Sequence, residues 1–310
     1  MQRIAIAGTS GLAQLIAYYL STTTNHQFFL LSRSPKPQIE QGTGYQIIPV
    51  NYSDQNDLQY QLTGVDVVLS TVSGPPQLNL IQAAAAVGVR KFAPSEFEGS
   101  HTQRPAGGLL DRGKSHNLNL LHQLKQTSGM EYCVFACGIL YERFAQGGMV
   151  SSQIGFGCGA GNEGDYLMNI RNLTARIPYY TPAGQAVHIC MTSANDLARF
   201  IVAAVNNLQH WPIELRMCGE RMTTAEVVQV ASMVRGQPFQ VTSYSPESLQ
   251  PELTYAQIAG DYRQQIRLHT LIATAQGRYD FQSPNANTML PAIVPQRFSY
   301  WLQNIWPPLA

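Results

Sequence analysis

The chain has 310 residues, 45% of them hydrophobic and 13% charged, with a net charge of +1. That is enough for one large α/β domain or two unequal lobes around a substantial core, under a surface carried mostly by Gln, Asn, Ser and Thr. The near-zero charge, without any Lys/Arg cluster, argues against nucleic acid and anionic membrane as partners, and no stretch is long and apolar enough to span a bilayer.

The first apolar run is only a strand long and ends in a glycine turn, unlike a signal peptide, so a soluble, cytoplasmic protein is expected. Ile4-Ala5-Ile6-Ala7 reads as that buried strand, Gly8-Thr9-Ser10-Gly11 as the turn, and Leu15 to Leu20 as an amphipathic segment at the start of a helix. Phe28 to Leu31 is a second strand, Tyr45 to Val50 a third, and Asp54 to Leu62 a polar helix with an acidic start. Val65 to Ser70 is a fourth strand, stopped by Gly74-Pro75-Pro76; Leu78 to Val87 is an alanine-rich helix ending at Gly88. Arg90 to Ala93 is a short strand closed by Pro94-Ser95-Glu96-Phe97, and residues 98–113 form a polar loop. Lys114 to Thr127 is the next helix, with Leu118, Leu121 and Leu124 at helical spacing, and Tyr132 to Ala136 another strand.

Beyond residue 147 the pattern loosens. Residues 147–164 are glycine-rich, 192–207 form a clear helix, Glu214 to Met217 a strand, and Thr223 to Val234 a helix capped by Thr223 or Thr224. Strand–helix alternation predicts an α/β fold, a Rossmann doubly wound parallel sheet with helices on both faces. The expected division is a nucleotide-binding domain over residues 1–150, with elements of 186–220 returning to pack on it, and a smaller α/β substrate lobe over 151–310. The five cysteines (Cys133, Cys137, Cys158, Cys190, Cys218) are odd in number, lack a CxxC pair and sit mostly in apolar context, so buried free thiols are expected rather than disulfides or a metal site.

Gly8-x-x-Gly11-x-x-Gln14 follows a strand and opens a helix, the context in which backbone N–H groups and a helix dipole receive a pyrophosphate. Gly8, Thr9, Ser10, Gly11 and Leu12 are therefore candidate cofactor contacts. Gln14 replaces the third glycine, and either tilts the helix and weakens the cofactor or repacks one contact. The run Gly155-x-Gly157-x-Gly159-x-Gly161 follows no strand and opens no helix, and reads as a flexible loop near the pocket. After the second strand stand Ser32-Arg33-Ser34 and Lys36 where an NAD enzyme places an acid, so Arg33 and Lys36 favour NADPH through its 2′-phosphate. As an alternative, Arg33 is simply an exposed loop residue.

The chain has four lysines, Lys36, Lys91, Lys114 and Lys125, and no tyrosine has lysine four residues on, so the Tyr-x-x-x-Lys chemistry of most short-chain dehydrogenases is absent. Lys114 begins a helix that follows a strand end. In a doubly wound sheet that places it at the ligand crevice, where its ammonium either donates a proton to a developing oxyanion or holds the nicotinamide ribose of the cofactor, and where a lysine in an apolar pocket titrates low enough for acid–base work. Equally, it reads as a solvated helix residue. Gly138, Ile139, Tyr141, Phe144, Met149 and Phe156 are candidates to line an apolar substrate pocket, and each of the side chains reads as well as ordinary core. His188 reads as a structural strand histidine.

Taken in order, several segments carry a resemblance. They are Gly8-x-x-Gly11, Arg33, Thr71-Val72-Ser73-Gly74, Phe92-Ala93-Pro94-Ser95-Glu96-Phe97 and Lys114, then Gly138-Ile139-Leu140-Tyr141, His188 to Arg199 and Gly219 to Thr223. Over nearly its full length the chain resembles the isoflavone reductase-like branch of the NmrA-like family, the atypical short-chain dehydrogenases. The resemblance implies an NADPH-dependent reductase of a small aromatic or conjugated carbonyl compound in specialised metabolism. It also implies that Lys114 matches the catalytic lysine, and that Thr71, Val72, Ser73 and Pro94, Ser95, Glu96, Phe97 flank the nicotinamide. The 98–113 loop departs from the plant enzymes, so their substrates are not carried over. Two other readings share the fold: a non-redox isomerase, dehydratase or cyclase with the cofactor idle or absent, and an NAD(P)-sensing regulator without turnover, for which Lys114 would be superfluous. A small-molecule substrate is the expected partner, and the low surface charge fits a homodimer.

Overall fold

The computed structural model describes residues 1–309. From Ile4 to Ala7 and again from Val67 to Ser70 every residue is buried. Continuous burial on both faces is what a parallel strand covered by helices requires, and these two strands form the centre of a sheet. In chain order the elements are β1 (Arg3–Ala7), α1 (Gly11–Thr23), β2 (Gln27–Ser32), α2 (Pro37–Thr43), β3 (Ile47–Pro49), α3 (Gln55–Leu62), β4 (Val67–Ser70), α4 (Pro75–Ala86), β5 (Lys91–Ala93), α5 (Lys114–Thr127), β6 (Glu131–Tyr132) and β7 (Val134–Ala136). The sheet runs β3-β2-β1-β4-β5-β6, with every neighbouring pair parallel. Strand order reverses between β1 and β4, the switch point at whose carboxyl edge doubly wound sheets bind ligands.

There follow β8 (Ile139–Leu140), β9 (Met168–Asn169), β10 (Thr174–Pro178), β11 (His188–Thr192), α6 (Ala194–Asn207), β12 (Glu214–Arg216), β13 (Glu220–Thr223), α7 (Thr224–Arg235), β14 (Gln240–Tyr244), α8 (Pro246–Ile258), α9 (Tyr262–Ala275), α10 (Asn285–Met289) and α11 (Phe298–Ile305). They supply two three-stranded sheets, β14-β10-β9 and β13-β11-β8.

The chain does not divide at residue 150. One unit comprises Met1–Phe97, Asp111–Ala136 and Ala198–Leu215; the other comprises Glu98–Leu110, Cys137–Leu197 and Arg216–Ala310. Within the first unit the segment 198–215 is held by Lys91 Nζ donating to the Leu208 carbonyl (2.8 Å), Trp211 N–H donating to Glu131 (2.9 Å) and Val134 N–H donating to the Ile213 carbonyl (2.8 Å). Its core joins Ala5, Phe29, Leu31, Val68, Leu80, Phe92 and Leu121. The core of the second unit centres on Tyr141, Phe144, Tyr166, Ile189, Val227, Leu271 and Phe298. There Glu98 pairs with Arg278 (2.8 Å) and the Glu98 carbonyl accepts from Cys137 N–H (3.1 Å), so the polar 98–110 segment belongs with residues distant in sequence.

Several boundaries differ from expectation. The prolines at 75 and 76 start α4 instead of stopping a strand, because proline lacks the N–H that a first turn leaves unpaired and its φ is already helical. The strand expected over 132–136 is two: Cys133 N–H still donates to Phe92, but Val134 turns to a new partner, and β7 pairs with β12. The helix α2 carries no buried residue and gave no apolar periodicity to read. In the 155–161 run, Gly155 (φ +72°), Gly157 (φ +75°) and Gly159 (φ +75°) lie in the left-handed region that favours glycine, so the run is a sequence of turns.

Candidate functional site

The turn after β1 is fixed from several sides. Gly8 lies at φ +108° and donates its N–H to the Leu31 carbonyl (2.9 Å); a Cβ there would run into Thr71 Oγ1. Thr71 Oγ1 donates to the Ala7 carbonyl (2.9 Å) and accepts from Ser10 Oγ (3.3 Å). Ser10 caps α1, its Oγ accepting from Ala13 N–H (3.4 Å), and the first backbone bond of the helix runs from Gln14 N–H to the Ser10 carbonyl (3.0 Å). The N–H groups of Ser10, Gly11 and Leu12 therefore have no carbonyl within the helix to meet, and the positive end of the helix dipole adds to them. Such a cradle fits a pyrophosphate.

At the end of β2, Ser32 is buried and Arg33 exposed, with Lys36 half-buried at the cap of α2. Tyr52 donates its hydroxyl proton to the Leu31 carbonyl (3.2 Å); burial pushes that hydroxyl far above the usual tyrosine range, and the Arg33 guanidinium opposes the shift. No carboxylate stands at residues 32–36 to grip a ribose diol.

The ends of β4 and β5 are stapled by a residue that the sequence reading missed. Gln77, wholly buried, accepts at Oε1 from Ser70 Oγ (3.0 Å) and from Ser95 N–H (2.6 Å). Its signal was a polar residue three and four positions before Leu80 and Ile81, on the inner face of α4. Thr71 and Val72 are half-buried, Ser73 exposed, Pro94 buried, and Ser95 and Phe97 half-buried.

Lys114 is the first residue of α5 and is buried, not solvated. Nor is its surrounding simply apolar: Nζ stands 3.4 Å from Glu96 Oε2, with the two side chains 6% and 2% exposed. Arg112 (φ +49°) and Gly113 (φ +76°) reverse the chain immediately before it, and Asp111 accepts from Ser115 N–H (3.1 Å) and Ser115 Oγ (2.5 Å). A cation is disfavoured at a helix N-terminus, so Lys114 is there despite the dipole, and the Asp111 and Glu96 carboxylates offset that cost. Gly8–Leu12, Arg33, Thr71–Ser73 and Pro94–Phe97 thus stand at the carboxyl ends of β1, β2, β4 and β5, all in the first unit, and Lys114 joins them through Glu96.

The second-unit candidates lie otherwise. Tyr141 is wholly buried, its hydroxyl donating to the Gln296 carbonyl (3.0 Å) and its ring against Phe298 (5.1 Å) and Trp301 (5.6 Å). Phe144 packs on Phe298 (5.4 Å), and Met149 and Ile139 are buried, so packing accounts for all four side chains. Phe156 is exposed. Gly138 lies at φ +69°, where a Cβ would strike the Cys190 carbonyl. His188 opens β11 with Nδ1 3.0 Å from the Ala186 carbonyl. A further buried acid, Glu142, sits in this apolar run. Both its oxygens accept from Ala194 N–H at the start of α6 (3.0 Å each), and burial pushes its carboxyl up to about 7. The five cysteines are free thiols, four of them buried. Among the described residues no helix is long and apolar enough to cross a membrane.

The model of the NmrA-like family matches residues 1–290. Oxidoreductase BOA1 of Botryotinia fuckeliana is 24% identical, over 98% of this chain and 99% of that one. AtPrR2, solved with NADP+ and (+)pinoresinol, superposes with a TM-score of 0.73 at 18% identity, covering 98% of this chain and 99% of the other. The NADPH-dependent quinone oxidoreductase QOR2 of Escherichia coli, solved with NADPH, gives 0.72 at 17% identity, over 97% and 99%. These likenesses extend the Rossmann-type fold over nearly the whole length.

Proposed function

This chain belongs to the NmrA-like family, and within it we propose an NADPH-dependent reductase of a small aromatic or conjugated carbonyl compound, acting in specialised metabolism. The observation that carries the reading is the open three-amide turn of Ser10–Leu12, held against Thr71 on the same sheet edge as the buried Lys114–Glu96 pair. The turn holds the pyrophosphate, with Gly8 giving the close approach. Arg33 and Lys36 hold the 2′-phosphate. Thr71–Ser73 and Pro94–Phe97 hold the nicotinamide half, kept in place by Gln77. NADPH supplies a hydride when bound. Lys114 Nζ hydrogen-bonds the substrate oxygen as negative charge develops there and passes it a proton. Glu96 acts through Lys114 by holding the ammonium in place. The substrate class is supported by relatives solved with pinoresinol or named for quinones, together with the family resemblance.

Calorimetric titration with NADPH and NADP+ tests the first half without knowledge of the substrate. Binding well below millimolar, tighter than for NADH, is the expected result; no binding of either nucleotide ends the reading. A reductase screen over quinones and conjugated aromatic ketones, followed by the loss of NADPH absorbance at 340 nm, tests the second half, and no oxidation above the uncatalysed rate with any of them counts against it.

A further inference from the structure

Gln14 stands where the dinucleotide fingerprint has its third glycine, the residue that lets the helix approach the strand. In this chain the face of α1 turned to the sheet is Ala13, Ile16, Ala17 and Leu20, all fully buried, and two of the four are small. Close approach is thus met by Ala13 and Ala17, and Gln14 lies half-buried beside them. Helical side chains lean toward the N-terminus, so that of Gln14 reaches back over the turn, and its Nε2 donates to the Thr9 carbonyl at 3.1 Å.

That carbonyl shares one trans peptide with the Ser10 N–H, and the two point in opposite directions. Drawing the oxygen toward Gln14 turns the Ser10 N–H away, to the side on which a helix start offers its unpaired amides. It also occupies a partial negative charge that would otherwise be free to swing toward an anion. We propose that Gln14 is a positioning residue for the cofactor pyrophosphate, pinning the Thr9–Ser10 peptide in the orientation that donates. A glycine at this position has no group with which to do so. The inference rests on the NADPH reading above.

The test is calorimetric titration of NADPH and NADP+ into the full chain and into Gln14→Met, Gln14→Gly and Gln14→Glu, with melting temperatures taken without nucleotide. Gln14→Met keeps the bulk and loses the donor; it and Gln14→Gly weaken binding about three- to tenfold, the range of one neutral hydrogen bond. Gln14→Glu weakens it by more than about tenfold, since its carboxylate cannot donate and adds a negative charge. The loss is equal for NADPH and NADP+, whose pyrophosphates are identical, and the melting temperature of Gln14→Met stays within about 2 °C of wild type. Gln14→Gly or Gln14→Met binding as tightly as wild type, or tighter, overturns the inference and makes Gln14 a bystander or an obstruction. Losses of unlike size for the two nucleotides overturn it as well. If the wild-type chain binds neither nucleotide, the proposed function falls first and takes this inference with it.

Discussion

Each of the two units buries a glutamate, and the two are not alike. Glu96, in the first unit, faces the Lys114 ammonium at 3.4 Å. Glu142, in the second, faces the Ala194 N–H at 3.0 Å, and Asp196 lies near enough to raise its carboxyl further, beyond what burial does. One acid is buried against a charge and the other against a dipole at a helix start. What distinguishes the first site is a cation placed where the helix dipole disfavours it, on the sheet edge that carries the open turn. The second accepts from the first N–H of α6.

The largest expected effect that separates the two is on turnover. Lys114→Met lowers kcat about 10²- to 10⁴-fold, the usual range for a positioned proton donor, with NADPH affinity nearly kept. Glu142→Gln leaves kcat at the wild-type level. Steady-state rates on any substrate found in the screen decide it, and equal losses in both variants would erase the distinction.

Stability sharpens it next. Lys114→Met leaves the Glu96 carboxylate buried opposite a methyl group, and urea unfolding at neutral pH should lose about 3 kcal/mol. Adding Glu96→Gln to that variant should recover most of the loss. No recovery would mean that the ion pair is not what the lysine contributes.

Glu142 has the opposite sign. Its carboxyl titrates near 7 in the folded chain against 4.5 when exposed, so the folded state holds a proton that the unfolded chain has released. Its contribution is complete below pH 4.5 and is lost as pH rises to about 7, on the order of 3 kcal/mol in all. Glu142→Gln stays neutral, keeps an acceptor for Ala194 N–H, and should flatten that fall, so that it exceeds wild type in stability at pH 8. Urea midpoints between pH 4.5 and 8 measure it, and a wild-type slope retained in the variant would assign the titration to another group.

The smallest effect is expected from Glu96→Asp, which keeps the charge but widens the 3.4 Å gap to Lys114. A loss of kcat of about tenfold or less, with the folded stability nearly kept, fits a carboxylate that acts by holding the ammonium in place.

Much of this was legible in the chain itself. The apolar run of β1, the turn at Gly8 and the helix behind it are local, because φ preference, burial period and capping are properties of neighbouring residues. The start and end of α5, Lys114 to Thr127, were read as they stand. Elements that depend on partners far along the chain were not. β14 is held by β10, with Gln240 opposite Thr174, and β9 is only two residues long, so neither carries a strong local pattern. Gln77 looked like one polar residue in an alanine-rich helix until Ser70 and Ser95 were found at its Oε1. Tyr141 and Phe144 looked as fit for a pocket as for a core, since an aromatic ring carries no mark of which it fills.

The sequence alone determined the class of fold, the glycine turn after the first strand and the helix that begins at Lys114, since these follow from short-range geometry and residue type. The tertiary structure alone decided what each polar side chain faces: Glu96 for Lys114, the Thr9 carbonyl for Gln14, Ala194 for Glu142. A charge or a hydrogen bond acts over a few ångströms in space whatever the distance along the chain, so its chemistry is set only when folding has chosen its neighbours.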